Sequence, residues 1–267
     1  VLEGLSLEAI PKFCIQLSDV SGMTIRNCIF WDVLSTNNTA ILLVNSHGNL
    51  IEGNTLGGGD NSTTAASLYL FDATDNLITR NRFLGQVRLE RSLGNVFERD
   101  MFFIHDRANT ANTALSIRQE SKNNRLDFCT IYDQRNPLYG RSGPLIIVAE
   151  KSTGNVISNS IVASGEREDM RLSVEPGSVL TIHHSLFDRF PAFNSTTMPR
   201  EGVLVGPPGF VGPEGDLNLP HFLQRRGDPG ILDMVFSLRQ DSLAKGAADP
   251  AGVRNPDGSR ADLGALP

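Results

Sequence analysis

Several arginine, acidic and aromatic residues in the first half of the chain are suited to binding a sugar that carries a carboxylate. The residues concerned are Tyr69, Arg88, Glu90 and Glu120, together with Arg91 and Arg118. An arginine can hold a carboxylate through two parallel hydrogen bonds, and an aromatic ring offers an apolar surface to the face of a sugar. We therefore predict that this set forms a substrate-binding surface. A solvated outer face with ordinary charge pairs is the alternative.

Pairs of apolar residues separated by one residue predict the strands that position this set. The pairs are Ile15/Leu17, Ile41/Leu43, Leu68/Leu70, Val87/Leu89, Leu115/Ile117, Ile146/Val148 and Leu172/Val174. Successive side chains of a strand point to opposite faces, so the residues between and just beyond each pair share the outward face. On this pattern Tyr69, Arg88 and Arg118 lie on one face of a sheet.

A second pattern repeats along the chain at intervals of roughly 20 to 30 residues, which is typical of stacked architectures. Its anchors are Leu2, Ile25, Ile51, Ile78, Phe97, Leu126, Ile157 and Ile182, and the apolar residues five positions later are Leu7, Phe30, Leu56, Phe83, Phe102, Ile131, Val162 and Phe187. Turn formers such as Ser46-His47-Gly48-Asn49 separate the two patterns. The sequence therefore predicts an all-β, right-handed parallel β-helix of about eight coils. A leucine-rich horseshoe would need a shorter, leucine-rich repeat and a helical segment.

Small or short polar residues follow seven of the anchors by three positions. They are Cys28, Asn54, Asn81, Asp100, Cys129, Ser160 and Ser185. In a stack such residues can hydrogen-bond their counterparts in neighbouring coils, which offsets the free-energy cost of burying a polar group. We predict that Asn54 and Asn81 lie inside the stack, bonded to each other or to adjacent backbone, and that Cys28 and Cys129 are buried thiols.

Composition excludes several classes of function. The net charge of -6 argues against binding to a nucleic-acid backbone. No run of eighteen apolar residues is present, which argues against a transmembrane helix. No Cys/His cluster has the spacing of metal ligands, and we expect no cofactor.

The repeat pattern divides the chain into two regions. Residues 1–197 are predicted to form the coils, and residues 198–267 a Pro/Gly-rich extension with a capping tail, in which Ile231–Leu238 forms a last short strand. Loops after the second strand of each unit are expected to carry binding function: Leu34–Thr39, Gly57–Ala65, His105–Asn112, Asp133–Gly143 and Gly165–Asp169. Because Val1–Leu7 already matches the repeat in mid-coil, we expect a further N-terminal region of the same polypeptide to carry the cap.

The C-terminal segment, with Asp241-Ser242-Leu243-Ala244-Lys245-Gly246 and Asp257-Gly258-Ser259-Arg260-Ala261-Asp262-Leu263-Gly264-Ala265, resembles the tails of many secreted bacterial β-helix proteins. Together with coils of the form N-x-I-x-x-N, it makes nearly the whole chain resemble the pectate-lyase-like right-handed β-helix superfamily. The resemblance implies a tail that packs along the last coils, an extracellular or cell-envelope location, and a polysaccharide, acidic in most such enzymes, bound along the first sheet.

The coils are also similar to those of the alginate lyase and chondroitinase B family, whose base is a Lys in a K-S-x-x-N turn. Arg91-Ser92-Leu93-Gly94-Asn95 aligns with that turn and Arg118 with the partner arginine, which implies that Arg91 and Arg118 are the candidate catalytic residues. An arginine is a poor proton acceptor at neutral pH. The family's calcium-binding acidic pair would fall on Leu84 and Gln86, so calcium is possible but no site for it is identified.

Two functions from different classes therefore remain open. The first is a non-catalytic extracellular module, structural or adhesive, that contacts polysaccharide. The second is a polysaccharide lyase, or a related carbohydrate-active enzyme, that acts on uronate glycans.

Overall fold

Three sheets of parallel strands make up the fold of this protein. The computed structural model describes residues 1–8, 15–31, 39–57, 66–104, 113–133, 143–164, 171–189, 192–193, 200–211 and 236–264. Within these residues every named element is a β-strand, and none is a helix long and apolar enough to cross a membrane.

The three sheets are called A, B and C in the order in which each coil passes through them. Sheet A contains β1 (Leu2–Glu3), β4 (Thr24–Arg26), β7 (Leu50–Glu52), β10 (Leu77–Thr79), β13 (Val96–Glu98), β16 (Arg125–Asp127), β19 (Asn155–Ser158), β22 (Leu180–His183) and β25 (Arg200–Glu201). Sheet B contains β2 (Ser6–Glu8), β5 (Ile29–Trp31), β8 (Thr55–Leu56), β11 (Arg82–Phe83), β14 (Met101–Ile104), β17 (Thr130–Asp133), β20 (Ile161–Ser164), β23 (Leu186–Phe187) and β26 (Leu204–Val205). Sheet C contains β3 (Ile15–Ser18), β6 (Thr39–Val44), β9 (Ala66–Phe71), β12 (Gln86–Glu90), β15 (Leu115–Arg118), β18 (Ile146–Val148), β21 (Arg171–Val174) and β24 (Ala192–Phe193).

Within each sheet, neighbouring strands come from successive coils. The fold is therefore a right-handed parallel β-helix, as the sequence predicted.

The register of the sheets confirms the apolar pattern. Anchor Ile51 pairs with Ile25 on one side and with Ile78 on the other. In sheet C, Leu68 pairs with Val87, as the apolar pairs predicted. The anchors and their partners fill one continuous apolar core, which makes each coil depend on its neighbours for burial.

The polar ladder inside the stack is also confirmed. Both the backbone N–H and the amide Nδ2 of Asn54 donate to Oδ1 of Asn81, at 3.0 and 2.9 Å. Asn81 Nδ2 in turn donates to the carbonyl of Ile51 at 2.9 Å. Cys28 and Cys129, at the same position in their coils, are buried free thiols.

A second buried ladder lies at the corner between sheets C and A, where the sequence indicated only turn formers. It consists of Asn49, Asn76, Asn95, Asn124 and Asn155. The amides of the first four each donate to the side-chain oxygen of the next member, as in the 2.8 Å bond from Asn76 Nδ2 to Asn95 Oδ1. The corner itself is made by the preceding residue, such as Gly48 with φ of 59°, so the asparagines are free to turn inward.

Strand pairing continues beyond residue 197, where the sequence predicted the end of the repeat. Strand β25 pairs with β22, and β26 pairs with β23. The anchor position opposite Ile182 is occupied by Arg200, so the apolar pattern of the other coils is absent there although the strands still pair. Of the predicted strand Ile231–Leu238, residues 231–235 lie outside the described part of the chain, and Leu238 forms an isolated antiparallel bridge with Phe210.

The C-terminal tail packs along the side of the stack, on the outer face of sheet B. Tail residues Ala244, Ala248 and Leu263 bury apolar surface together with Ile161 and Leu186. The N–H of Gly264 donates to the carbonyl of Asn159 at 2.9 Å, and the N–H of Asp249 to the Oδ1 of Asn159 at 2.7 Å. The predicted packing of the tail on the last coils is therefore present.

Candidate functional site

The outer face of sheet C brings most of the predicted site residues together. Tyr69, Arg88 and Ser116 form one row across β9, β12 and β15. Phe71, Glu90 and Arg118 form a second row across the same strands. These two rows, with Asp72, Arg91 and Glu150 from the corners that follow, are called the sheet C face. Adjacent strands lie about 4.8 Å apart, so side chains in one row are within reach of each other.

Glu90 is the centre of the first cluster on this face, although it is only 6% exposed. One of its oxygens accepts a 2.6 Å hydrogen bond from the hydroxyl of Tyr69, and the other forms a 2.5 Å ion pair with Arg88. The guanidinium of Arg88 also lies over the ring of Tyr69, at 4.8 Å from the centroid. The three side chains therefore hold one another in place.

Burial raises the pKa of Tyr69 well above its usual range, and the hydrogen bond to Glu90 raises it further. The phenol consequently keeps its proton at any ordinary pH. Tyr69 can donate a hydrogen bond, but it is a poor candidate for a general base, because a base must be deprotonated near the working pH.

Arg91 belongs to a second cluster, one residue beyond the end of β12. Its Nε and terminal nitrogen donate to the two oxygens of Asp72 at 2.7 and 2.5 Å, the two-pronged geometry that arginine forms with carboxylates. The hydrogen bond from Arg91 lowers the pKa of Asp72. Its guanidinium lies 4.1 Å from the centroid of the Phe71 ring. The backbone φ of Arg91 is 50°, which is uncommon for arginine, and its side chain reaches back to Asp72 in the preceding coil.

Arg118 is held in the opposite direction along the stack. Its Nε donates to the hydroxyl of Ser116 at 3.0 Å, and a terminal nitrogen lies 3.6 Å from Glu150 in the following coil. Asp72 therefore neutralises Arg91, and Glu150 neutralises Arg118.

Glu120 lies apart from these clusters. It is an exposed residue of the turn after β15, and it forms its ion pair with Lys122 at 3.6 Å. The structure therefore does not bring this predicted substrate-binding residue into the contacts of the other members.

The sequence prediction missed Asp72 and Glu150 as members of the face. Asp72 could have been found, because it directly follows Phe71, which pairs with Glu90, and so lies opposite Arg91 in register. Glu150 follows β18 by two residues, and no sequence signal distinguishes it from other exposed acidic turn residues.

The positions that correspond to the calcium-binding pair of the lyases lack carboxylates. Leu84 is buried, and Gln86 begins strand β12 with no negative charge. Among the described residues, no group of three or more His, Cys, Asp or Glu side chains is arranged to hold a metal ion.

The loops expected to carry binding function lie largely outside the described residues. Their flanking strands show that they leave sheet B and enter sheet C, as between Leu56 and Ala66. All of them thus join the stack at one edge of sheet C.

Comparisons with known proteins add no closer assignment. No protein-family model matches the chain, and no curated protein or solved structure matches it significantly. The structure itself supports the fold, a parallel β-helix whose coils pass through three sheets.

Proposed function

We propose that this chain is a non-catalytic, structural or adhesive β-helix module, extracellular or in the cell envelope, that contacts polysaccharide through the sheet C face. The resemblance of its coils and tail to the pectate-lyase-like superfamily supports a polysaccharide partner. In that superfamily the equivalent sheet carries the substrate.

One observation carries the proposal: partly exposed hydrogen-bonding groups form an ordered array on adjacent, rigidly paired strands. Carboxylates or hydroxyls of the face itself hold the three arginines in place, namely Arg88, Arg91 and Arg118. A polymer with repeating hydroxyl groups can bind such an array without ordering it first, and this reduces the entropy lost on binding.

A non-catalytic role fits the chemistry of the face better than a lyase mechanism. A lyase needs a group that removes a proton from the sugar. Arg91, at the position of the family's basic lysine, is an arginine bound to Asp72, and Tyr69 has a raised pKa. We expect no unsaturated uronate to form when the protein is incubated with pectate or alginate, as followed by ultraviolet absorbance. A steady rise in absorbance would require the lyase interpretation instead.

Binding is tested with the variant Arg118→Ala. Because its ion pair with Glu150 is partly exposed, Arg118 contributes little to stability, and thermal unfolding should be nearly unchanged. Binding to neutral and uronate polysaccharides, measured by affinity electrophoresis and calorimetry, should weaken by roughly 1–3 kcal/mol, the range for a charge-assisted hydrogen bond.

The matched control is Arg26→Ala, which removes an exposed arginine paired with Glu3 at 2.9 Å on the outer face of sheet A. It should bind as tightly as the wild type. Equal loss in both variants, or no binding by the wild-type protein to any polysaccharide, would reject the sheet C face as the contact surface.

A further inference from the structure

We propose that the sheet C face selects neutral, hydroxyl-rich polysaccharide and disfavours uronate polymers. The inference rests on the proposed function, and it reverses the acidic preference that the arginines suggest when the sequence is considered alone. The reason is that the structure supplies each of these arginines with its own carboxylate.

The charges on the face balance one another. Arg88 pairs with Glu90 at 2.5 Å, Arg91 with Asp72 at 2.5 Å, and Arg118 with Glu150 at 3.6 Å. Three cations therefore meet three carboxylates, and the face has a net charge of zero. The whole chain carries a net charge of -6, so a polyanion approaching from solvent is repelled at long range.

A uronate carboxylate would also meet repulsion at close range. The edge of the Arg91 guanidinium formed by Nε and one terminal nitrogen already holds both oxygens of Asp72. A second carboxylate at Arg91 would lie beside Asp72, and like charges at such separations destabilise each other. At Arg88 the competing carboxylate is Glu90, which is buried and cannot move into solvent without losing its bond to Tyr69.

Neutral hydroxyl groups avoid this conflict. A sugar hydroxyl can accept a hydrogen bond from a guanidinium and donate one to the carboxylate beside it, so it uses both members of an ion pair. The Arg91–Asp72 pair is open to such contact, because the two side chains are 49% and 38% exposed.

Arg88 and Arg91 also lie over the rings of Tyr69 and Phe71, at 4.8 and 4.1 Å from the centroids. A ring face covered by a guanidinium is not open to a sugar. Recognition by paired hydrogen-bonding groups, rather than by stacking on bare aromatic rings, is therefore what this face offers.

The test is a variant that unbalances the face without changing its shape. Asp72→Asn removes one negative charge and leaves Arg91 without its carboxylate. The matched control is Glu3→Gln, which changes the net charge of the chain equally but frees Arg26 on sheet A. Binding is measured by calorimetry at low ionic strength with neutral glucan and mannan oligosaccharides, and with pectate and alginate oligosaccharides. Circular dichroism confirms that each variant is folded.

The wild-type protein should bind a neutral oligosaccharide, and every uronate oligosaccharide should bind about tenfold or more weakly, a difference of about 1.4 kcal/mol. Asp72→Asn should gain uronate affinity by about fivefold to tenfold, an effect that added salt abolishes, whereas Glu3→Gln should not.

If the wild type prefers uronates, or if Asp72→Asn leaves uronate affinity unchanged, the inference is overturned while the proposed function stands. If the wild type binds neither kind of oligosaccharide, the proposed function itself fails.

Discussion

Replacing Asp100 by Asn should stabilise the protein, and increasingly so as the pH rises. Asp100 occupies the buried polar ladder between Asn81 and Cys129. Its Oδ1 accepts two hydrogen bonds from Asn81, at 2.7 and 3.0 Å, whereas its Oδ2 is buried without a hydrogen-bond partner. In the coil before, the Nδ2 of Asn81 donates to the carbonyl of Ile51. By the same register, an amide at residue 100 would face the carbonyl of Ile78.

The magnitude follows from proton linkage. Burial raises the pKa of Asp100 to about 8, because the charged form loses its hydration. Between the ordinary carboxyl value near 4 and about 8, the folded protein keeps a proton that the unfolded chain has released, so wild-type stability falls as the pH rises. The slope for one proton is about 1.4 kcal/mol per pH unit. Asn does not titrate, so the advantage of Asp100→Asn should grow by that amount per unit and reach several kcal/mol near neutral pH.

Urea unfolding of both proteins at about pH 5, 6, 7 and 8 measures this difference directly. The control is Asp75→Asn, the same substitution at an exposed corner residue, which should show no comparable gain. A difference between Asp100→Asn and wild type that does not change with pH would refute the assignment of a neutral, buried carboxyl. So would a variant that is less stable than the wild type at about pH 8.

Two further substitutions test the ladder and the tail. Asn81→Leu should lower the free energy of unfolding by about 1–3 kcal/mol in urea titrations, because it leaves buried partners unsatisfied and overfills the position; an unchanged midpoint would contradict the ladder. Gly264→Ala should loosen the tail, because φ is 92° there and a Cβ would lie 2.8 Å from Thr130 Oγ1 and 2.9 Å from Ile161 Cδ1. Limited proteolysis should then cleave the tail faster than in the wild type, and equal cleavage rates would show that the contact is dispensable.

The register of the coils could be predicted because apolar residues at Ile51, Ile78 and their equivalents must all face one interior. A shift of one strand by one residue would move its apolar side chains to the outer face, so the pattern allows only one register. The position of a residue that can play two structural roles was harder to predict. Asn49 and its equivalents stand directly after corner residues of positive φ, and asparagine is both a common turn residue and a good ladder residue, so the sequence could not separate the two roles.

The partners of the candidate site arginines could not be predicted from the sequence. Arg91 and Arg118 share an outward face, but Arg91 reaches back to Asp72 in the preceding coil, whereas Ser116 and Glu150 hold Arg118. Local sequence does not specify which neighbouring coil a long side chain will reach. The charge balance of the face, on which its preferred ligand depends, is therefore visible only in the structure.

The asparagine ladders have a direction, and this bears on how such a chain can change in length. Each backbone N–H and amide donates forward, to the side-chain oxygen of the following coil, as from Asn54 to Asn81 and from Asn76 to Asn95. The coils that carry Asn49, Asn76, Asn95 and Asn124 thus offer the same acceptor to the coil before and the same donors to the coil after. Loss or duplication of one of these coils by gene rearrangement would join matching ends and leave no amide of this ladder unbonded. An insertion that ends in mid-coil would instead place an apolar anchor opposite a ladder asparagine, so whole turns are the natural unit in which this protein can grow.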